Sequence, residues 1–511
     1  MLSQILWRSL MAALLVLALP VISAQAESQT SLDFTAIDQF ITTEMKDARI
    51  PGLALGIVQN DQVVHLRGFG TADPSDRTVT PQTPFYVASV YKSFTALAIM
   101  QLVEAGKLEL DQPVQRYLPW FQVADADASA SITARHLLTH TSGLPDKAAG
   151  ESNTNRSLEQ MVRDLKDAPL TQPVGATFQY CNDCYDVLEF LIQTVSGQPY
   201  NEFVRQNIFI PLDMQYTAFA VPTAPPDVAT GYQWWFGVPR PMRGLAGRLA
   251  ASESTSGHMV SSAEDLSHFL IAQLNDGRYG DQQIVSPASI AEMHNPSMSL
   301  PPDQPHGLGW GHSSYHGVTA YEHGGDDPGI AAQIMIIPER KIGFVILYNA
   351  NTVLWALAGR QKLVDGMASL LLDHSVPTSG LSFSQIYLVI NLIVLAIVAI
   401  YVKDFVQAWR GTVQVRRTKP DGWLTRRVIL PAILDFVIAG ALLIGVPMLT
   451  STLMNRPVSL SDLRTFVPDL GWFLIVMALI TVFRGLTRLA LALMPTQDSQ
   501  ARSSAPKTAN A

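Results

Sequence analysis

The sequence predicts an α+β domain followed by about three transmembrane helices. β-rich runs lie near both ends of residues 31–373 and helical patterns lie between them, which is typical of an α+β domain. After Asp373 the composition changes, and residues 375–402 contain no Asp, Glu, Lys or Arg. Charged residues make up 15% of the 511-residue chain, against about 25% in an ordinary soluble domain, so part of it is expected in lipid.

Residues 1–26 are predicted to be a secretory signal peptide. Arg8 supplies positive charge, an apolar stretch runs from Leu10 to Ile22, and Ala24-Gln25-Ala26 forms an A-x-A cleavage pattern. The apolar stretch is short for a membrane span, which needs about 20 residues. We therefore favour cleavage near Ala26 over an uncleaved anchor.

Residues 31–373 are long enough to bury a large core. Two strand pairs are predicted at the ends of this stretch, each around a short turn: Gly52–Gln59 with Val63–Gly70, and Ile330–Ile337 with Ile342–Tyr348. The stretch from Ser89 to Ala105 predicts a helix that Gly106 ends. Because this helix is apolar nearly all round, it is expected to be buried.

A linker at 374–384 leads to a predicted transmembrane region at 385–494. Its candidate spans lie at about 385–402, 428–450 and 470–491. The connector 403–427 is rich in Lys and Arg, so the positive-inside rule places it in the cytoplasm. The domain at 31–373 is then expected on the periplasmic or extracellular side of the inner membrane. The tail at 495–511 is predicted to be disordered and cytoplasmic.

Asp435 lies inside the second candidate span, where an ionisable side chain is costly without a partner. Arg484 in the third span is expected at a similar depth. We predict an Asp435–Arg484 pair that holds the helices together. The alternative is an unpaired Asp435 close to a water defect.

Net charge is −8 and no long basic run is present, which excludes nucleic acid as an expected partner. The two cysteines, Cys181 and Cys184, cannot complete a four-ligand zinc site. Their C-x-x-C spacing lacks a thioredoxin-like context. They are expected to be small, semi-buried residues that can be oxidised outside the cytoplasm.

Ser89-Val90-Tyr91-Lys92 forms an S-x-x-K motif at the start of the predicted buried helix. Residues three apart share one helix face, so the Ser89 hydroxyl and the Lys92 ammonium are expected to meet. A serine becomes a nucleophile when a neighbouring group takes its proton. Taken alone, the four-letter match is weak evidence.

Two further segments carry candidate site residues, Tyr180-Cys181-Asn182 and His323-Gly324-Gly325. Paired glycines allow the backbone to approach a ligand closely. Each segment also has a structural interpretation. Tyr180 is then a core aromatic, Asn182 a helix cap, and His323 a strand-edge residue.

In this order, the three motifs resemble those of the serine β-lactamase/penicillin-binding superfamily. The branch most similar contains class C β-lactamases, D-alanyl-D-alanine carboxypeptidases, esterases and D-aminopeptidases, in which the second motif is Y-x-N and the third is K-T-G or H-x-G. The segments Ser89–Leu108 and Ile132–Leu144 also resemble family landmarks. The resemblance covers about residues 35–370. It implies an antiparallel sheet flanked by helices, with a helical insertion, and neither a metal nor an organic cofactor.

The resemblance also implies a role for each site residue. Ser89 attacks the carbonyl and forms an acyl-enzyme. Lys92 or Tyr180 is the acylation base, a choice that the sequence leaves open. Asn182 binds the substrate amide, and His323 can donate to Tyr180 or to a substrate carboxylate. The backbone N–H groups of Ser89 and Asp326, the residue after Gly325, form the oxyanion hole.

Two departures from the family pattern affect the expected substrate. Cys181 stands where many relatives have serine, and a bond to Cys184 would strain the helix start beside Tyr180. His323 stands in place of a lysine, so a β-lactam carboxylate loses a permanent counter-charge. Esters and D-amino peptides are as well supported as β-lactams. The expected partners are a small-molecule, peptide or ester substrate and membrane lipid, and the oligomeric state stays open.

Residues 233–237 form an aromatic run that contains Trp234 and Trp235. The run indicates either packing in the core, or an exposed role as a lip of the active site or as a contact with the membrane surface.

Two other functions compete with an enzyme. One is a sensor of β-lactams or wall fragments that acylates without turnover, for which no output domain is visible. The other is a small transporter or scaffold, which does not account for the Ser, Lys, Tyr and His set.

Overall fold

The computed structural model describes residues 32–146, 156–220, 225, 227–242, 258–295, 306–377, 380–415, 428–454 and 458–493. The predicted signal peptide, the tail from 495 and residues 416–427 of the basic connector lie outside these residues.

Thirteen strands and sixteen α-helices are described, and we number each set in chain order. The strands are β1 Gly52–Gln59, β2 Gln62–Gly70, β3 Phe85–Tyr86, β4 Ala218–Phe219, β5 Tyr232–Trp235, β6 Val238–Pro241, β7 Met259–Ser261, β8 Arg278–Tyr279, β9 Gln282–Gln283, β10 Gly311–Tyr315, β11 Val318–Asp327, β12 Ile330–Ile337 and β13 Ile342–Tyr348. The helices are α1 Phe34–Ala48, α2 Tyr91–Glu104, α3 Ala126–Ser131, α4 Ala134–Leu138, α5 Leu158–Arg163, α6 Asn182–Ser196, α7 Tyr200–Val204, α8 Ala263–Leu274, α9 Pro287–His294, α10 Val353–Ala358, α11 Arg360–Leu371, α12 Phe383–Val415, α13 Leu430–Gly440, α14 Val446–Met454, α15 Leu460–Phe466 and α16 Pro468–Leu493.

The main sheet has six strands in the order β10-β11-β12-β13-β1-β2, with every neighbouring pair antiparallel. Strands from the beginning and the end of the domain therefore pair in one sheet, through β1 and β13. Both predicted strand pairs are confirmed, and β12 and β13 begin and end at the predicted residues. The fold is the β-lactamase/transpeptidase-like α+β architecture that the resemblance implied.

Each face of the sheet carries its own hydrophobic core. Alternate side chains of β1 point to opposite faces. Leu53 and Leu55 pack with α1 and α11, whereas Ala54 and Val58 pack with α2, α6 and α8. Helix α2 is buried over nearly its whole length, as its all-round apolar pattern predicted. The second face, with α2, carries the candidate site.

Three helical segments after the domain are long and apolar enough to cross a membrane, Phe383–Gln407, Leu430–Thr452 and Pro468–Ala490. The predicted contact between Asp435 and Arg484 is present, with Arg484 Nε 2.9 Å from Asp435 Oδ1. Arg488, which sequence reasoning did not include, donates to Asp435 Oδ2 at 2.8 Å. One buried carboxylate therefore joins α13 to two arginines of α16.

The aromatic run at 233–237 lies between the domain and these helices, in the hairpin β5–β6. Trp234 is fully buried, donates to the carbonyl of Ala48 at 2.6 Å and packs edge-on against Phe383 of α12. The core-packing alternative therefore holds for Trp234. The backbone N–H of Phe236 donates to Asp469 of α16, 3.0 Å away. The hairpin is one of the contacts through which the domain docks on the apolar helices, together with α1, whose Asp47 accepts the N–H of Phe383 at 2.9 Å.

Candidate active site

Ser89 lies in a 3-10 turn, Ala88–Val90, that leads directly into α2. Helix α2 itself begins at Tyr91, so Ser89 precedes the regular helix rather than opening it as predicted. Ala88 has a φ of 45°, a left-handed conformation that is uncommon for a residue with a side chain. This tight turn leaves the Ser89 hydroxyl at the end of a buried helix, where backbone N–H groups favour negative charge.

Lys92 follows one turn after Ser89 and has no exposed surface. Its Nζ donates to Ser89 Oγ at 3.2 Å and to Asn182 Oδ1 at 2.8 Å. Three tyrosine rings lie 4.7–5.3 Å from this ammonium, those of Tyr91, Tyr180 and Tyr185. A cation over aromatic faces is stabilised although it is removed from water.

The Tyr180 hydroxyl hydrogen-bonds to Ser89 Oγ at 2.7 Å. Its ring stacks on His140, with the ring centroids 4.5 Å apart. His140 Nδ1 accepts the Cys181 N–H at 3.1 Å. Burial, with help from the nearby His306 and Lys92, holds the pKa of His140 well below its usual range. His140 is therefore a neutral acceptor that fixes the backbone and ring beside Tyr180.

Cys181 and Cys184 form a disulfide at the start of α6, between Tyr180 and the helix body. Asn182 is the first residue of α6, and both its N–H groups, backbone and side chain, donate to Asp146 Oδ1 at 3.3 and 2.9 Å. This fixes the amide so that its oxygen faces Lys92. The second motif is thus held by a disulfide, a histidine and an aspartate.

Strand β11 brings the third motif against Ser89. A β-carbon at Gly325 would lie 2.0 Å from the carbonyl oxygen of Val87 and 3.2 Å from the nitrogen of Ser89, so only glycine fits there. The next residue, Asp326, points to the opposite face, where it pairs with Arg360 and accepts from Asn351 Nδ2 at 3.1 Å. Its backbone, rather than its side chain, is the part placed toward Ser89.

His323 is buried on the same face as Gly325. Its Nδ1 hydrogen-bonds to the carbonyl of Gly324 at 2.8 Å, so Nδ1 carries the proton of the neutral ring. Burial and the Lys92 charge lower the pKa of His323 to about 3. The neutral ring therefore presents Nε2 as an acceptor, whereas the family resemblance implies that His323 donates to Tyr180 or to a substrate carboxylate.

The structure brings six of the seven predicted side chains or glycines to the Ser89 face: Ser89, Lys92, Tyr180, Asn182, His323 and Gly325. Sequence reasoning missed His140 and Asp146, which hold the second motif. His140 lies in the segment Ile132–Leu144, and the likeness of that segment to the family was the available signal. In the described residues no group of three His, Cys, Asp or Glu side chains could hold a metal ion.

The fold and this arrangement define a class, the serine hydrolases in which a buried lysine and a tyrosine flank the serine. A family model described as Beta-lactamase matches residues 37–364. The chain therefore belongs to the β-lactamase family.

Two curated proteins illustrate the likeness. The chain is 27% identical over 409 residues to Protein flp of Staphylococcus aureus strain MW2, covering 76% of this chain and 79% of that protein. It is 28% identical over 320 residues to Penicillin-binding protein 4 of Amycolatopsis lactamdurans, covering 59% and 81%.

Three solved structures share the fold. An octameric penicillin-binding protein homologue from Pyrococcus abyssi has a TM-score of 0.59 and 27% identity, covering 68% of this chain and 79% of that one. EstCE1, a hydrolase with promiscuous acyltransferase activity, has a TM-score of 0.57 and 26% identity, covering 66% and 97%. The D-amino acid amidase of Ochrobactrum anthropi SV3 has a TM-score of 0.54 and 25% identity, covering 66% and 98%.

Proposed function

We propose that this protein is a membrane-anchored, extracytoplasmic serine hydrolase that acts through an acyl-enzyme on Ser89. One observation carries the proposal. The Ser89 hydroxyl oxygen has two proton-exchanging groups within reach, Tyr180 at 2.7 Å and Lys92 at 3.2 Å. A serine so placed can lose its proton as it attacks.

Acylation proceeds as Ser89 Oγ bonds to the substrate carbonyl carbon and its proton passes to the base, which is Tyr180 as a phenolate or Lys92 as a neutral amine. The backbone N–H groups of Ser89 and Asp326 stabilise the oxyanion, and each such donor contributes on the order of 10²- to 10³-fold in rate. The bond to the leaving group then breaks, and the leaving group takes the proton. Asn182, held by Asp146, orients the acyl side of the substrate.

Deacylation repeats these steps with water. Water gives a proton to the same base and attacks the acyl carbon, and Ser89 Oγ leaves with a proton. Positioned proton transfer contributes about 10²- to 10⁴-fold in each direction. His323 is a neutral acceptor, so its Nε2 accepts a hydrogen bond from an N–H or O–H group of the substrate or of the water. It does not bind a substrate carboxylate.

The substrate is an amide, a peptide or an ester, for which D-amino peptides, β-lactams and acyl esters are the candidates. The similar proteins support this range, since their names include a penicillin-binding protein, a hydrolase with acyltransferase activity and a D-amino acid amidase. No specific observation favours the sensor alternative.

The three apolar helices support membrane anchoring, with lipid as their partner. Placement of the hydrolase domain outside the cytoplasm rests on the basic connector 403–427 and the predicted signal peptide. The Cys181–Cys184 disulfide agrees with such a compartment, because disulfides persist where the environment is oxidising.

The test is an activity panel on the full-length chain in detergent micelles. The full chain is needed because Phe383 of α12 packs into the domain core against Trp234. A fluorophosphonate probe, a fluorescent penicillin, a chromogenic cephalosporin, p-nitrophenyl esters and D-Ala-D-Ala peptides are compared. Ser89→Ala runs beside wild type, and Ser314→Ala, at an exposed serine of β10, is the matched control.

We expect labelling and turnover in wild type and Ser314→Ala and neither in Ser89→Ala. The substrate that is turned over then selects peptidase, lactamase or esterase activity. Stable labelling without turnover of any substrate contradicts hydrolysis. Labelling that persists in Ser89→Ala contradicts the assigned nucleophile.

A further inference from the structure

Asp327 is a titratable residue of the site that the proposed mechanism leaves unused. Side chains alternate along a strand, so Asp327 lies on the same face of β11 as His323 and Gly325. Gly325 abuts Ser89, and Asp327 follows two residues later, about 7 Å along the strand. In the described part of the chain, no hydrogen bond or ion pair reaches the Asp327 carboxylate.

Asp326, the preceding residue, differs from Asp327 in the face of the sheet that it points to and in having an ion-pair partner. Its carboxylate points to the other face of the sheet and is neutralised by Arg360. Arg360 is therefore engaged on the other face, and Asp327 has no ion-pair partner among the described residues. Burial and the neighbouring Asp326 raise the pKa of the Asp327 carboxyl to about 7, and Lys92 opposes this rise. Near pH 7 a further cation beside Asp327 therefore shifts the carboxyl to its ionised form.

Tyr86 supplies a second, independent observation. It precedes Ser89 by three residues, is 2% exposed, and its hydroxyl has no hydrogen-bond partner within the described residues. Ile330, which pairs directly with Asp327 across β11–β12, packs in one small cluster with Tyr86. Burial and the charge of Asp327 raise the pKa of Tyr86 to about 12. A neutral phenol and a carboxyl group therefore share one corner of the site, and neither has a hydrogen-bond partner among the described residues.

We propose that Asp327 and Tyr86 form a subsite for the ammonium group of a substrate, so that the enzyme prefers acyl groups that carry a free amine near the scissile carbonyl. The inference rests on the proposed function and narrows it to amides or esters of amino acids with a free α-amine. A carboxylate and a hydroxyl oxygen accept hydrogen bonds from –NH₃⁺, and a charged partner strengthens each bond. A substrate carboxylate in the same corner is repelled.

Lys92 and His323 also face this subsite, and neither provides a competing anion. Lys92 is positive and engaged with Ser89 and Asn182. His323 is neutral because its pKa is lowered to about 3. Asp327 is therefore the acidic group of the described residues on this face of β11, and it supplies the negative charge that an ammonium group requires.

The experiment measures protection of Ser89 from the fluorophosphonate probe in the full-length chain in micelles, at about pH 7, where a free α-amine is still largely protonated. The ligands are alaninamide, in D and L forms, and its N-acetyl derivative, which lacks the positive charge. Succinamic acid serves as a carboxylate of similar size. We expect one enantiomer of alaninamide to protect Ser89 at concentrations on the order of 10- to 100-fold lower than those needed of N-acetylalaninamide or succinamic acid. This difference is the effect of a charged hydrogen bond.

Three variants locate the effect. In Asp327→Asn, alaninamide and N-acetylalaninamide should protect Ser89 at nearly equal concentrations. In Tyr86→Phe, the ratio of the two protecting concentrations should fall by several-fold. Asp373→Asn, at an exposed acid far along the chain, is the matched control and should keep the wild-type ratio. Labelling in the absence of ligand checks that each variant folds. If Asp327→Asn does not fold, the result for Tyr86→Phe decides whether the ammonium subsite is correct.

The outcomes separate the two proposals. If the probe does not label wild type at Ser89, the proposed function fails. If Ser89 is labelled but alaninamide protects no better than its N-acetyl form, the ammonium subsite is wrong. The subsite is also wrong if no ligand protects, or if the preference survives Asp327→Asn.

Discussion

Lys92 in the β-lactamase family domain and Asp435 in the apolar helices are both buried ionisable residues, but their partners differ. Lys92 contacts a hydroxyl and an amide oxygen, and in the described part of the chain no carboxylate forms an ion pair with it. Asp435, 1% exposed, receives guanidinium groups of Arg484 and Arg488 on its two oxygens.

The difference separates a reactive charge from a structural one. A buried charge whose partners are oppositely charged is neutralised. Removing one partner strongly destabilises the fold, because the desolvation cost of the remaining charge is no longer offset. A buried lysine whose partners are a hydroxyl and an amide oxygen can instead exchange a proton with the hydroxyl, which is the arrangement that general acid–base chemistry requires. Variants in the two regions should therefore separate activity from stability.

The largest effect is expected for Lys92→Met, which keeps the side-chain length and removes the charge. Fluorophosphonate labelling of Ser89 should fall by about 10²- to 10⁴-fold, the usual contribution of positioned proton transfer. Lys107→Met, at an exposed lysine just after α2, is the matched control and should label at the wild-type rate. Near-normal labelling of Lys92→Met would leave Tyr180 as the acylation base.

For the other region, Asp435→Asn and Arg484→Gln should each destabilise the helices by about 3–5 kcal/mol, the cost of breaking a buried pair. The double variant should cost less than the sum, which a double-mutant cycle in micelles measures. Arg488→Gln should cost less because its side chain is more exposed, 24% against 10%. Additive losses would show that the pair is not coupled.

Histidines in the catalytic domain sharpen the comparison, since they are kept neutral by burial rather than paired. The pKa values of His294, His306 and His323 are lowered to about 3. Between about pH 6.5 and 3 the unfolded chain binds protons that the folded domain does not. Their contribution to stability is therefore complete above about pH 6.5 and is lost as the pH falls toward 3.

Replacing one of them tests this directly. In His306→Gln the free energy of unfolding should depend less on pH within that window, by up to about 1.4 kcal/mol per pH unit. Chemical unfolding followed by tryptophan fluorescence at several pH values measures the slope. An unchanged slope would mean that His306 is protonated in the folded state.

The smallest effect is expected from the disulfide. Cys181→Ser with Cys184→Ser should slow labelling of Ser89 only several-fold. His140 still accepts the backbone N–H of residue 181 and stacks on the Tyr180 ring, and Asp146 still holds Asn182. Labelling rates with and without the substitutions give the result. A loss as large as that of Lys92→Met would make the disulfide, rather than these hydrogen bonds, the support of Tyr180.

Local patterns predicted the elements that local patterns determine. Alternating and β-branched runs located β12 and β13 to the residue, and an all-round apolar run located α2. Asp435 was paired correctly because a charge in a span has few possible partners. The positions of His140, Asp146 and Tyr86 could not be predicted, since their contacts join residues 36 or more positions apart or depend on how β11 passes the nucleophile.

The aromatic run at 233–237 is another place where the local sequence pattern does not determine the tertiary contact. Its composition indicated an apolar neighbour, but both a protein core and a membrane surface satisfy that requirement. Only the tertiary contact of Trp234 with Phe383 decides for the core. The face that His323 presents was likewise beyond the sequence, because the proton position depends on the Gly324 carbonyl.

The β5–β6 hairpin has a consequence for how substrate is met. Both backbone groups of Phe236 are held by the apolar helices, its N–H by Asp469 and its carbonyl by Asn391. A domain on a free linker searches a volume whose radius grows with linker length. With the helices in a bilayer as proposed, this docked domain instead holds its cleft at one height and one angle above the lipid. Which molecules it meets then depends on their distance from the membrane as well as on their chemistry.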